Sequence, residues 1–106
     1  MVDKDAIAKA VKAQLQLLYG DRLAKVILYG SYARGDFHEE SDIDFLVVLK
    51  DEEIEVGKEI LFMSEYFAPM LLDYNIYISR HLTSLKLFET SDFLFYKNVR
   101  REGVEV

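Results

Sequence analysis

The chain contains no cysteine, which excludes a disulfide framework and a thiolate metal site and fits a reducing compartment. Two histidines, with no cysteine beside them, are too few for a zinc centre. No apolar run approaches the roughly 18 to 20 residues that a membrane span requires. The first residues, Met1-Val2-Asp3-Lys4-Asp5, are acidic where a signal peptide is basic. The expected location is therefore the cytoplasm, with no membrane partner. Basic residues are scarce as well, with 13 Lys and Arg against 19 Asp and Glu and a formal charge of -6. Affinity for long nucleic acid comes largely from Lys and Arg neutralising phosphates, so DNA or RNA is a poor candidate ligand. A single nucleoside triphosphate stays open, because a bound metal can carry the local positive charge. No internal repeat, low-complexity tract or Pro/Gly-rich linker divides the sequence. One domain over residues 1–106 is expected, too short for a catalytic domain plus a separate substrate domain.

What is present is apolar and periodic. Half the residues are hydrophobic, and Phe and Tyr number seven each, enough for a folded core. Ile7, Ala10, Val11, Gln14, Leu15 and Leu18 recur at three- and four-residue spacing, predicting a helix over residues 3–19 that closes at Gly20. Lys25 to Tyr29 reads as a buried strand ending at Gly30, followed by a turn and short helix in Gly30-Ser31-Tyr32-Ala33-Arg34-Gly35-Asp36. Ile43 to Leu49 reads as a second buried strand. Residues 52–67 suggest a helix that stops before Pro69. Alternation of Tyr74, Ile76 and Ile78 with Asp73, Asn75 and Tyr77 predicts a third strand over residues 70–79. A last helix is expected over residues 92–102, with Ser91 as its N-cap and Arg100 and Arg101 complementing the dipole in its last turn.

Two short motifs carry chemistry. Gly30-Ser31 lies where a strand passes into a helix, a place where free backbone N–H groups favour an anion and a missing Cβ lets it come close. Ten residues after Ser31 begins Ser41-Asp42-Ile43-Asp44, where Asp42 and Asp44 flank Ile43 at the head of the second strand. Alternation puts both carboxylates on one face and sends Ile43 and Phe45 to the other. Two such charges repel unless a cation sits between them, and a pair of oxygen ligands on a strand suits Mg²⁺, which fills its other positions with water and phosphate oxygens. Each motif alone is weak. Together they describe a metal–triphosphate site.

The run GSYARGDFHEESDIDFLVV, residues 30–48, resembles the signature of the nucleotidyltransferase superfamily that includes DNA polymerase β, and in particular its minimal prokaryotic branch, the MNT proteins that pair with HEPN toxins. The resemblance implies a small mixed β-sheet with helices packed on it, of the α+β or α/β class. It implies that Asp42 and Asp44 hold Mg²⁺, as two ions, and that Gly30 and Ser31 hold the phosphates of ATP. It also implies a third carboxylate from a neighbouring strand, for which Asp73 on the predicted third strand is the candidate, as a further metal ligand and catalytic group. Arg34 is placed either to reach phosphate or to pair with an acidic neighbour and fix the loop, the second role being favoured. The activity implied is transfer of AMP from ATP to a hydroxyl, a tyrosine of a HEPN toxin, with this chain as the antitoxin. Two alternatives stand beside it: a non-catalytic antitoxin that neutralises its partner by binding, and transfer to a small molecule such as an aminoglycoside. Homo-oligomerisation is left open.

His38, between the motif halves, and His81 read more readily as solvated side chains than as catalysts. Phe62, Met63, Tyr66 and Phe67, with Phe88, Phe93, Leu94, Phe95 and Tyr96, are dense for so small a chain. Core packing takes most of them, and any left exposed would mark a protein interface.

Overall fold

The N-terminal periodicity forms helix α1, Lys4–Tyr19, in a computed structural model that describes residues 3–38, 41–74 and 76–106, with backbone alone for 70–72. The Asp3 carboxylate accepts the N–H of Ala6 at 3.1 Å, which satisfies one of the donors orphaned at a helix start. Ile7, Val11 and Leu15 face inward from α1. A short 3₁₀ turn, Gly20–Arg22, leads into strand β1, Leu23–Tyr29. A four-residue helix α2, Ser31–Arg34, then precedes strand β2, Ile43–Leu49, whose ends are those the apolar run predicts.

Helix α3 spans Val56–Tyr74 and carries Pro69 inside it, so the expected stop before the proline does not occur. Proline costs an interior helix a hydrogen bond and a clash. Here Pro69 is exposed, and the inward stripe of Ile60, Met63, Phe67 and Tyr74 continues across it. Burying Met63 and Phe67 completely, at about 1.5–3 kcal/mol each, offsets that cost.

Strand β3 is Ile78–Ser84 rather than residues 70–79. The segment through Tyr74 belongs to α3, and only Ile78 and Ser79 of the predicted strand are in β3. Helix α4, Leu85–Thr90, follows at once, with the Ser84 hydroxyl accepting the N–H of Leu87 at 3.1 Å as its cap. Helix α5 is Leu94–Glu102, two residues shorter than expected. Ser91 caps a turn there, its hydroxyl accepting the N–H of Phe93. Arg100 does more than offset a dipole: it donates to the carbonyls of Phe88 and Ser91, both at 2.7 Å, and ties α5 to the end of α4. A two-residue strand β4, Val104–Glu105, completes the sheet.

The four strands lie in the order β3-β2-β1-β4, with β1 antiparallel to β2 and β4 and β2 parallel to β3, a mixed sheet as expected. One face, with Ile43, Phe45, Val47 and Leu49 of β2, packs under α1 and α3. The other, with Ile27, Leu46 and Val48, packs under Phe88 of α4 and Val99 of α5. Asp44 alternates with Phe45 and so belongs to this second face. Among the described residues no helix is long and apolar enough to cross a membrane.

Candidate active site

Strand β1 ends at Tyr29, whose register partner on β2 is Asp44, so the turn at Gly30 is set directly against the acidic pair. Gly30 has φ 76° and ψ -155°, a region open essentially to glycine alone. A Cβ built on it would strike the Asp44 carboxylate oxygen Oδ2, so the absent side chain is what lets turn and aspartate meet. Gly35 closes α2 at φ 87° with open space around it; its requirement is conformational only. Within the turn, the Gly30 carbonyl accepts the N–H groups of Ala33 and Arg34, and the Ser31 carbonyl those of Gly35 and Asp36. The N–H groups of Ser31 and Tyr32 head this single turn, where intrahelical partners do not exist.

Asp42 is exposed just ahead of β2, and Asp44 is half-buried on it. Burial pushes the Asp44 carboxyl above the usual aspartate range and the charge of Asp42 pushes the same way, while a Ser79 hydrogen bond and the charges of His81 and Arg34 pull it down. A strand carboxylate that resists ionising is a poor resident without a cation and a good ligand with one. Among the described residues no three Asp, Glu, His or Cys side chains cluster as a ready metal cage. The donor set that exists, two carboxylates beside an anion-accepting turn, fits Mg²⁺ held partly by substrate oxygens.

The raised Asp44 pKa has a signed consequence. The metal-free folded protein binds more protons than the unfolded chain between the ordinary aspartate value of 3.8 and the raised folded value. Its stability is therefore expected to fall as pH rises through that window. Magnesium binding in the same window should release a proton, detectable by calorimetry in two buffers of different ionisation enthalpy. Equal heats in both buffers, after correction for dilution, would refute this.

The sequence-predicted residues do not all converge. Gly30, Ser31, Asp42 and Asp44 come together. Arg34 lines the same cleft, but its Nε lies 3.1 Å from Asp36 Oδ2 and its guanidinium 3.7 Å from Glu102 Oε2, so it braces α2 against α5, the favoured reading. Asp73 is exposed in the last turn of α3, on a helix and not on a strand. The basis for giving it the third-carboxylate role, a place on the strand beside Asp44, is gone. Ser79 holds that place, paired with Asp44. The sequence motifs do not single out Tyr29 or Ser79, and His81, expected to be a solvated side chain, is exposed but held by Tyr29. The Tyr29 hydroxyl reaches across β2 to hydrogen-bond His81 Nδ1, and Phe95 packs edge-on against both rings. Tyr29 is held un-ionised by burial first and by the Asp44 charge second. Alternation along the true β3 would have found His81.

A cavity of about 210 Å³ opens beside Gly30, lined by Tyr29, Arg34, Phe95, Asn98 and Glu102. A larger one, about 470 Å³, lies along α1 and Val106 and is bordered by none of the candidate residues, so size does not mark the site here.

A mixed sheet presenting an Asp-x-Asp strand to a Gly-Ser turn defines a nucleotidyltransferase. Residues 5–98 match the model of the nucleotidyltransferase domain family, and the chain belongs to that family. Two proteins of Methanocaldococcus jannaschii that bear the provisional name protein adenylyltransferase are similar along nearly their whole length. One is 38% identical over 104 residues, 97% of this chain and 96% of that protein. The other is 40% identical over 102 residues, 94% and 95% respectively. Among solved structures, a toxin–antitoxin with AMP-PNP aligns with TM-score 0.63 at 16% identity, covering 92% of this chain and 70% of that one. A tyrosine-to-alanine variant of the MntA-HpeT toxin–antitoxin aligns with TM-score 0.58 at 19% identity, covering 100% and 72%. At these identities the structural likeness concerns the fold.

Proposed function

We propose that this chain is a protein adenylyltransferase that moves AMP from ATP to a tyrosine hydroxyl of a partner HEPN-type toxin and so acts as its antitoxin. The observation that carries the chemistry is the contact of the Gly30 turn with Asp44. It sets an anion-accepting backbone beside a carboxylate pair, as a nucleoside triphosphate with its metal requires. The name borne by the two sequence relatives supports a protein acceptor, and the AMP-PNP in one structural neighbour supports ATP. The toxin–antitoxin assemblies among those neighbours support the partner class.

In this reading Asp42 and Asp44 hold Mg²⁺, as two ions, and Gly30 and Ser31 hold the β- and γ-phosphates. Bound Mg²⁺ supplies charge neutralisation of the triphosphate and polarisation of the attacking oxygen. The protein supplies position. The acceptor oxygen forms a bond to the α-phosphorus, the bond from that phosphorus to the bridging oxygen breaks, pyrophosphate departs in line, and the hydroxyl proton passes to solvent. Asp73 is given no part. Arg34 keeps α2 in place through Asp36 and Glu102 and lies close enough to the cleft to favour a phosphate there.

The test is incubation of the protein with α-labelled ATP, Mg²⁺ and the product of the adjacent gene. Label is expected on a tyrosine of that product, with loss of its toxicity. An unlabelled partner beside folded wild-type protein would refute the reading. Undiminished protection by the Asp42→Asn/Asp44→Asn protein would show that binding alone neutralises the toxin.

A further inference from the structure

We infer that His81 is the residue that holds the acceptor hydroxyl for attack, an inference that rests on the nucleotidyl-transfer reading above. The strand order gives the site a direction. Gly30 and Ser31, at the end of β1, take the leaving phosphates, and the aspartates, at the head of β2, lie beneath the reacting phosphorus. In-line displacement then brings the acceptor from the side opposite β1, over β3, which is the edge strand next to β2.

On the face it shares with Asp44, β3 presents Ser79, His81 and Thr83, and no carboxylate. Two of the three are engaged. Ser79 hydrogen-bonds Asp44, and Thr83 is buried with its hydroxyl 2.7 Å from the Tyr96 hydroxyl. His81 is exposed, and its Nδ1 is taken by the Tyr29 hydroxyl. Its Nε2 is the nitrogen left to meet an incoming group.

The imidazole is also pre-set. Tyr29 fixes it at Nδ1, and the Phe95 ring stands edge-on with centroids 6.0 Å apart, so little ordering remains to be done when the acceptor arrives. Phe95 is itself exposed, as are Phe93 and Leu94 beside it, and an aromatic acceptor side chain would find an apolar rim there. Where a carboxylate on this strand would bind metal, a ring nitrogen instead makes a hydrogen bond to the acceptor oxygen and leaves the metal to the Asp42 and Asp44 pair. Tyr29 acts through His81 and is a positioning residue.

The chain has two histidines, so ring resonances report the contact without ambiguity. With Mg²⁺ and the α,β-methylene analogue of ATP already bound, titration with N-acetyltyrosinamide is expected to shift the His81 ring signals saturably while those of His38 stay in place. Unmoved His81 signals would overturn the inference. In transfer to the toxin, His81→Asn keeps a group at the Nδ1 position and His81→Gln keeps one at Nε2. His81→Asn is expected to lower kcat/KM for the acceptor about 10- to 100-fold, the scale of one lost hydrogen bond to a reacting group, with KM for ATP unchanged. His81→Gln is expected to restore most of the loss. Full activity of His81→Asn, or recovery by Asn and not by Gln, would show that the ring only braces Tyr29 and would overturn the inference. Absence of transfer by wild-type protein would sink the function proposed above, while the ring shift would still decide His81.

Discussion

Replacing Asp42 and Asp44 together by asparagine is expected to remove AMP transfer by about 10³-fold or more, because the metal contributes several kcal/mol of charge stabilisation and each 1.36 kcal/mol is tenfold in rate. The same replacement should leave the metal-free protein as stable as wild type, or more so. Asp44 is half-buried with its ionised form disfavoured by burial and by Asp42, and asparagine removes that charge while keeping the shape that accepts from Ser79. Activity and stability therefore move in opposite directions, which is the mark of a residue retained for its ligand and not for the fold. The check is a pair of thermal melts with and without Mg²⁺ and ATP. Wild type should gain stability from the ligands as mass action requires, and the variant should not. Equal gains in both proteins would place the metal elsewhere.

The parts of this site that the sequence made legible are those where local pattern and tertiary role agree. The run Ile43–Leu49 is buried on both faces of a central strand, so it reads as unbroken apolar sequence, and Asp44 interrupts it at a defined place. Gly30 declares itself because no other residue suits its dihedral angles. Strand β3 hides for the opposite reason. It is an edge strand whose one face carries Ser79 and His81 toward the site and Thr83 into the core, while its other face sets Arg80 over the ring of Phe67, 4.7 Å from the centroid. Neither face reads as apolar alternation. Tyr74 and Ile76 before the strand do alternate with its first residue, Ile78, and Tyr74 packs on the core from the last turn of α3. That slip is why Asp73 took the place that belongs to Ser79. It is also why His81 reads as a solvated residue beyond the strand and not as part of its site face. Helix α4 was within reach, since Ser84 is a strong N-cap residue followed by Leu85, Leu87 and Phe88. Strand β4 has two residues, too few for any period to show. Of the nine large apolar residues in the two dense runs, Met63, Phe67 and Phe88 are buried and Tyr96 partly so, while Phe62, Tyr66, Phe93, Leu94 and Phe95 are exposed, so the core takes fewer of them than expected.

Gly30→Ala is expected to damage transfer severely. Two costs coincide at that position. Alanine at φ 76° and ψ -155° carries about 1–3 kcal/mol of backbone strain, and its Cβ lands on the Asp44 carboxylate, so either the turn or the aspartate must move. A displacement of about 1 Å at a reacting centre is enough to cost roughly 10²-fold in rate, so transfer should fall at least that far. Gly35→Ala separates the two costs. Its φ of 87° imposes similar strain, but the space around it is open and nothing there touches Asp44. It should destabilise the fold by about 1–2 kcal/mol while reducing transfer far less. A double-mutant cycle completes the argument. If Gly30→Ala acts by displacing Asp44, its effect on transfer should be much smaller in an Asp44→Asn background, whereas its effect on stability should persist. Additive losses of transfer would mean that the glycine and the aspartate serve separate ends, and that the contact between them is packing alone.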